Sequence, residues 1–311
     1  MGKPFSPSFF KASAFAACAA FAPLSLHAQD TAVSVPPAAS ALMAALSAGS
    51  DTGLYSFYES TDFEPVFAGK IARLSALLNA LESAHEHGLP AANLQIQELR
   101  SAMAMAGRPD TDAALEVLAA HTYLEFATDL TSGVVNPDDI SDLINFDTVR
   151  PTTDMLMAKV ANSMGSGALY EGLEPQDPSY NALQAELAGL EALVEAGGWG
   201  PKIPAGRTLR PGHSGERVLA MRERLIALGY PDIEGDSPRY DTALVDAVKA
   251  FQTDNTLNAD GIVGPKTLIA LNSDPSVQMQ QVMVNLERRR WLNYDLGARH
   301  IFVNQAAQMA Y

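Results

Sequence analysis

The sequence is poor in groups placed to do covalent chemistry. Its one cysteine, Cys18, lies inside the apolar run ASAFAACAAFAPLSL near the N-terminus. An acyl-transfer nucleophile needs an adjacent base and a site for the oxyanion, and no GxSxG segment or SxxK set offers serine in its place. The cluster His85-Glu86-His87 has the residue types of a metal site. On a helix, imidazoles two residues apart point to different sides and cannot chelate together, and no HExxH is present. The pair suits a last turn, where a cation meets the negative end of the helix dipole. Asp138 and Asp139 could share acid and base duties, but no partner for them stands near in the sequence. Asn136-Pro137 ahead of them reads as a helix start, with Asn136 as cap and the acids in the positive first turn. No catalytic set, no metal-ligand set and no cofactor is assigned.

What the spacing does build is a small module over residues 209–272. In LRPGHSGERVLAMRERLIALGY, Val218, Met221, Leu225 and Leu228 recur at three- and four-residue steps, Ser214 can cap the start, and Gly229 offers a left-handed exit. In YDTALVDAVKAFQ, Asp241 is the N-cap and Leu244, Val248 and Phe251 share a face. In LNADGIVGPKTLIALN, Asp260-Gly261 is a turn signal, Pro265 takes a first-turn position, and Leu268 and Leu271 point inward. Three short helices around one core are expected.

The succession Leu228-Gly229-Tyr230, Ala247-Val248, Phe251-Gln252, Asp260-Gly261-Ile262-Val263-Gly264 and Thr267 to Leu271 resembles the peptidoglycan-binding repeat attached to many cell-wall enzymes. The resemblance implies peptidoglycan as partner, through its glycan or its stem peptides. Tyr230, Tyr240, Gln252 and Asp260 are the candidate ligand-binding residues, since aromatic and amide groups in a groove can hold a sugar ring or a peptide. The alternative, that they pack or cap the module's own helices, stands beside it.

The formal charge of −15 and pI near 4.7 argue against nucleic acid, because an acidic surface repels phosphate. Peptidoglycan carries carboxylates too, so binding to it must be local. Lys3 and Lys11, the apolar run and Leu26-His27-Ala28 before Gln29-Asp30 form a secretory signal with cleavage expected after Ala28. Its core is too short for a stable membrane span. Cleavage there leaves no thiol and a formal charge of −17, with Lys+Arg reduced from 21 by the two lysines against 36 Asp+Glu. A periplasmic protein is expected.

Residues 29–40 read as a flexible leader. From 41 to 200 the pattern is helical throughout, with a cluster of Leu54, Tyr55, Phe57, Tyr58, Phe63 and Phe67 expected to form an aromatic mini-core. PKIPAGRT, 201–208, reads as a linker, and Arg288 to Arg290 as a solvated helix face, the sharper alternative being contact with wall carboxylates.

Phe57-Tyr58 with Pro65, His87-Gly88-Leu89-Pro90, the segment Tyr123 to Asp129 with Gly133 and Pro137, Leu173-Glu174-Pro175 with Pro178 and Tyr180, and Gly198-Trp199 follow one another in an order that, with the module, resembles the large periplasmic L,D-transpeptidases. These join a helical scaffold domain, a peptidoglycan-binding domain and a C-terminal catalytic domain. The resemblance implies a mainly α protein: a scaffold domain over 41–200, a peptidoglycan-binding domain over 207–273, and over 274–311 a linker helix and the first strand of a mostly β catalytic domain. The family's histidine and Ser-Xaa-Gly-Cys segment are not in the sequence, and His300 stands before the expected strand, so catalysis is not carried over. The expectation is the non-catalytic part of such an enzyme. The alternatives are a fragment of an active transpeptidase, which would cross-link stem peptides by cysteine acyl transfer, and a regulatory scaffold whose partners are other cell-wall enzymes.

Overall fold

The chain turns helical earlier than its apolar pattern suggests. Helix α1 spans Pro37–Ser47, since a proline at the first helical position gives up no hydrogen bond; residues 37–40, expected in the leader, are thus its first turn. The structure is a computed structural model and describes residues 36–90, 94–140, 148–163, 169–230, 233, 235–293, 299, 303–304 and 309–310; the expected signal 1–28 lies outside them.

Helices α2 (Thr52–Ser60), α3 (Ile71–Glu82), α4 (Ile96–Met105), α5 (Pro109–Ser132) and α6 (Thr153–Asn162) complete the first helical group. The long α5 is its spine: Ala113, Ala119, Ala120 and Ala127 keep its buried side small, so α1 can lie close along it, while Tyr123, Phe126 and Leu130 fill the space beside them. The mini-core forms as expected, with Tyr55 against Phe63, Phe57 against Tyr58, and Phe67 tilted against Tyr123. His85 to His87 lie in a 3-10 helix, Ser83–His87, ended by Gly88 in the left-handed conformation. His85 is exposed, whereas the Nδ1 of His87 meets the hydroxyl of Tyr180 at 3.1 Å, so the two imidazoles diverge. Asn136 makes no side-chain cap; Pro137–Asp139 is a single 3-10 turn with both aspartates exposed.

A second pair follows the first group. Helix α7 (Pro178–Glu195), capped by Asp177, packs against α11 (Pro275–Trp291), capped by Asp274, around Tyr180, Leu187, Leu190, Trp199, Val282 and Leu286. The helix expected to lead away from the module instead returns to the scaffold. Arg290 is 1% exposed, so the basic run is not a uniform solvated face. Its guanidinium donates to the carbonyl of His87 at 2.7 Å and to Glu287 at 2.9 Å, while Arg289 pairs with Asp177 at 3.2 Å.

Between α7 and α11 lies the module, with α8 (Glu216–Ala227), α9 (Thr242–Asp254) and α10 (Pro265–Leu271). Beyond α11, β1 (Val303–Asn304) pairs antiparallel with β2 (Met309–Ala310), so the strand expected after His300 has a neighbour. The fold is mainly α, as the sequence implies.

Candidate functional site

The module's core is Leu209, Val218, Met221, Leu225, Tyr240, Leu244, Val248, Phe251, Val263 and Leu271, joined by Ile203. Ile203 belongs to the expected linker, yet its N–H donates to the Asn272 side chain at 2.8 Å and its carbonyl accepts from it at 2.9 Å. The chain entering the module and the chain leaving it are thereby fastened together.

Two isolated antiparallel bridges fix the segment ahead of α8: Leu209 with Val263, and Ser214 with Arg239. Ser214 is therefore spent in a bridge and does not cap α8, whose N-cap is Gly215. Asp241 caps α9 as expected, accepting from the Leu244 N–H at 2.9 Å, and its other oxygen takes Arg222 at 2.7 Å. These contacts hold the Asp241 carboxyl below the usual carboxylate range, the Leu244 N–H first. Arg222, 1% exposed, also donates to the carbonyls of Ser237 and Arg239, so one buried guanidinium ties α8 to the strand-like segment before α9.

The four candidate residues fall in different surroundings. Gln252 is 1% exposed and closes the turn after α9: its amide donates to Asp260 at 3.1 Å and to the Ile262 carbonyl at 3.0 Å, and its oxygen accepts the Gly261 N–H at 2.9 Å. Tyr240 is buried and donates to the Gly261 carbonyl at 2.8 Å; burial pushes its phenol well up. Asp260 is exposed, yet one oxygen accepts the Ile262 N–H at 2.8 Å, and that bond, with the Gln252 amide, holds its carboxyl down. Gln252, Tyr240 and Asp260 are thus brought together around the turn at Gly261, which they build. Tyr230 stands apart, half-buried edge-on to Phe251, with its hydroxyl on Asp254 at 2.7 Å.

Open space lies on either side of the Arg210–His213 turn, and of the four candidates only Tyr240 borders it. One cleft, of about 580 Å³, is lined by Pro211, Gly212, Arg239, Tyr240, Asp241, Thr242 and Val245. The other, of about 750 Å³, is lined by Arg207, Thr208, Leu209, Arg210, His213 and Arg217. Sequence reasoning passed over this second group because two of its six residues, Arg207 and Thr208, fell in the expected linker. The signal available was a concentration of cations in an acidic chain: Lys202, Arg207, Arg210 and Arg217 against the single acid Glu216.

Comparison with known proteins bears on both halves. Residues 52–187 match the family described as "Scaffold domain". Residues 214–271 match the family described as "Putative peptidoglycan binding domain". The chain carries a scaffold domain and then a peptidoglycan-binding domain. Over 65 residues it is 38% identical to the "Probable CtpA-like serine protease" of Staphylococcus epidermidis, a match covering 21% of this chain and 13% of that protein. Over 68 residues it is 43% identical to the "N-acetylmuramoyl-L-alanine amidase CwlL" of Bacillus licheniformis, covering 21% of this chain and 19% of that protein. The matches thus span less than a fifth of either relative's length. No helix among the described residues is long and apolar enough to cross a membrane.

Proposed function

We propose that the chain holds peptidoglycan through the 209–272 module and serves as the non-catalytic, wall-engaging part of an L,D-transpeptidase. The observation that carries this is the succession of a scaffold domain and a peptidoglycan-binding domain on one chain, with α11 returning from the second to the first. The amidase of Bacillus licheniformis acts on the wall by its name, which favours the same ligand for the segment it shares with this chain. Residues 36–311 contain no cysteine, so these residues bind and position, and acyl transfer is not assigned to them. On this proposal the chain is exported by its first 28 residues and works in the periplasm.

The full chain should pellet with purified sacculi, and a variant lacking 209–272 should stay in the supernatant. Equal retention of both would remove the module from the wall-binding role.

A further inference from the structure

We infer that the cleft between Arg207, Arg210 and Arg217 binds the carboxylates of peptidoglycan stem peptides, an assignment that rests on the wall-binding function proposed above and names its ligand. Arg207 and Arg210 are exposed, and neither forms an ion pair with a described acidic residue. In a chain of formal charge −15, Arg207, Arg210 and Arg217 line one cleft that no acidic residue lines. Planar guanidinium forks match carboxylates in a bidentate way that no sugar hydroxyl matches.

The cleft is also built to keep its shape. Arg217 does not wave freely: its Nε donates to the Pro204 carbonyl at 2.8 Å and one terminal nitrogen to the Arg207 carbonyl at 2.7 Å, leaving the other terminal nitrogen for a ligand. Arg210 sits in a turn closed by the His213 N–H on its own carbonyl at 3.1 Å, and the bridges at Leu209 and Ser214 clamp the turn on both sides. Ordering that is complete before binding need not be supplied by the ligand.

The module's larger aromatic rings, which would serve a glycan strand, stand away from this cleft. Tyr240 and Phe251 are buried, Tyr230 packs on Phe251, and no phenylalanine, tyrosine or tryptophan lines the cleft. Sugar faces stack on exposed rings, whereas carboxylates need localised positive charge, so the surroundings favour the peptide over the glycan. The acidic chain repels the wall's carboxylates at long range, and screening confines that repulsion to about 8–10 Å at moderate salt, which leaves contact-range pairing in a local cationic cleft intact.

The test uses the full chain and three soluble probes: a disaccharide carrying its stem peptide, the same molecule with its carboxylates amidated, and peptide-free glycan strands. Titration calorimetry should show binding of the first, weakened about tenfold or more in the Arg207→Gln/Arg210→Gln double variant, as the loss of charge-assisted pairs implies. Amidation should weaken the wild type to a similar degree, and peptide-free glycan should not compete. Gly206→Ala supplies a second arm that keeps every charge: a Cβ there would lie 2.7 Å from a terminal nitrogen of Arg217, so the guanidinium must swing away and affinity should fall. Both sites are exposed, and unchanged circular dichroism and melting temperature would exclude misfolding as the cause. Undiminished binding by the double variant, or competition by peptide-free glycan as strong as by the peptide-bearing probe, would overturn the cleft assignment while sacculus binding by the full chain keeps the wall-binding function standing. Failure of the full chain to pellet with sacculi would overturn both.

Discussion

Glu116 shows how one side chain can fix a segment far from it in sequence. It is 1% exposed on α5, and its carboxylate accepts the N–H groups of Val66 at 2.6 Å, Phe67 at 2.8 Å and Ala68 at 2.6 Å, together with the Tyr58 hydroxyl. Three successive backbone donors of the turn before α3 therefore converge on a single acid. Burial first, then the neighbouring carboxylate, drives the Tyr58 phenol far above its ordinary value. Because removing the acceptor strands buried donors, Glu116→Ala should lower stability by about 3–5 kcal/mol. Urea denaturation followed by circular dichroism would measure this, and a loss under about 1 kcal/mol would mean that water or another group satisfies the turn. The residue was detectable in the sequence, since the buried face Ala113, Ala120 and Tyr123 runs straight through position 116. An acid on an apolar stripe marks a buried acceptor. What it accepts was not legible, because the donors lie some fifty residues earlier and only the packed fold brings them near. The same holds for Arg290, in register with Val282 and Leu286 yet read with its two neighbours as solvated surface.

Elements were legible wherever a local signal sufficed. Asp241, Asp177 and Pro265 start their helices as their types dictate, and Gly88 and Gly229 follow helix ends with positive φ. Ser214 and Asn136 have the right types and still do not cap, since a bridge claims the first and a single 3-10 turn follows the second. The seat of α11 on the scaffold was beyond local signals altogether. It depends on Gly133, whose missing side chain admits Trp291: an added Cβ would come within 2.8 Å of the indole and 2.5 Å of Glu287. Glu287 accepts the Val135 N–H and pairs with Arg290, and although burial works against it, these contacts hold its carboxyl below the usual range. Nearby on α5, burial first, then Glu125 and Glu287, raise the Asp129 carboxyl from 3.8 to about 6. A carboxyl with a raised folded pKa is a liability that is full above pH 6 and gone below about pH 4, because the unfolded chain gives up that proton more readily. Asp129→Asn should therefore raise the melting temperature at pH 7 and leave it unchanged at pH 4. A gain of equal size at both pH values would show that the effect is not ionisation.

The largest scale concerns how the wall-binding module is carried. Arg224, 3% exposed, donates to the Leu271 carbonyl at 2.8 Å, the Ser273 carbonyl at 2.7 Å and the Gly200 carbonyl at 2.9 Å, with its guanidinium carbon 5.5 Å from the Trp199 ring centre. Trp199 belongs to the cluster that seats α11 on α7. One side chain of α8 thus grips both the chain entering the module and the chain leaving it, on the helical side of each. With Ile203 bonded to Asn272, the crossing is a clamp of two strands and not a free tether. A module held this way is fixed to the helices that flank it, which a flexible linker would not achieve. Arg224→Met keeps the bulk over the indole but strands three carbonyls, each worth about 1–3 kcal/mol when left unsatisfied in the interior. The expected result is that the variant loses its joint before its cores: Trp199 emission shifts to the red, and calorimetry resolves a separate, earlier melting of the module where the wild type shows one transition. Sacculus binding should survive, because Arg224 lies two turns along α8 from Arg217 and donates to none of the residues that line the cationic cleft. A variant that still melts in one transition with unshifted emission would assign the coupling to the Ile203–Asn272 pair and α11 instead.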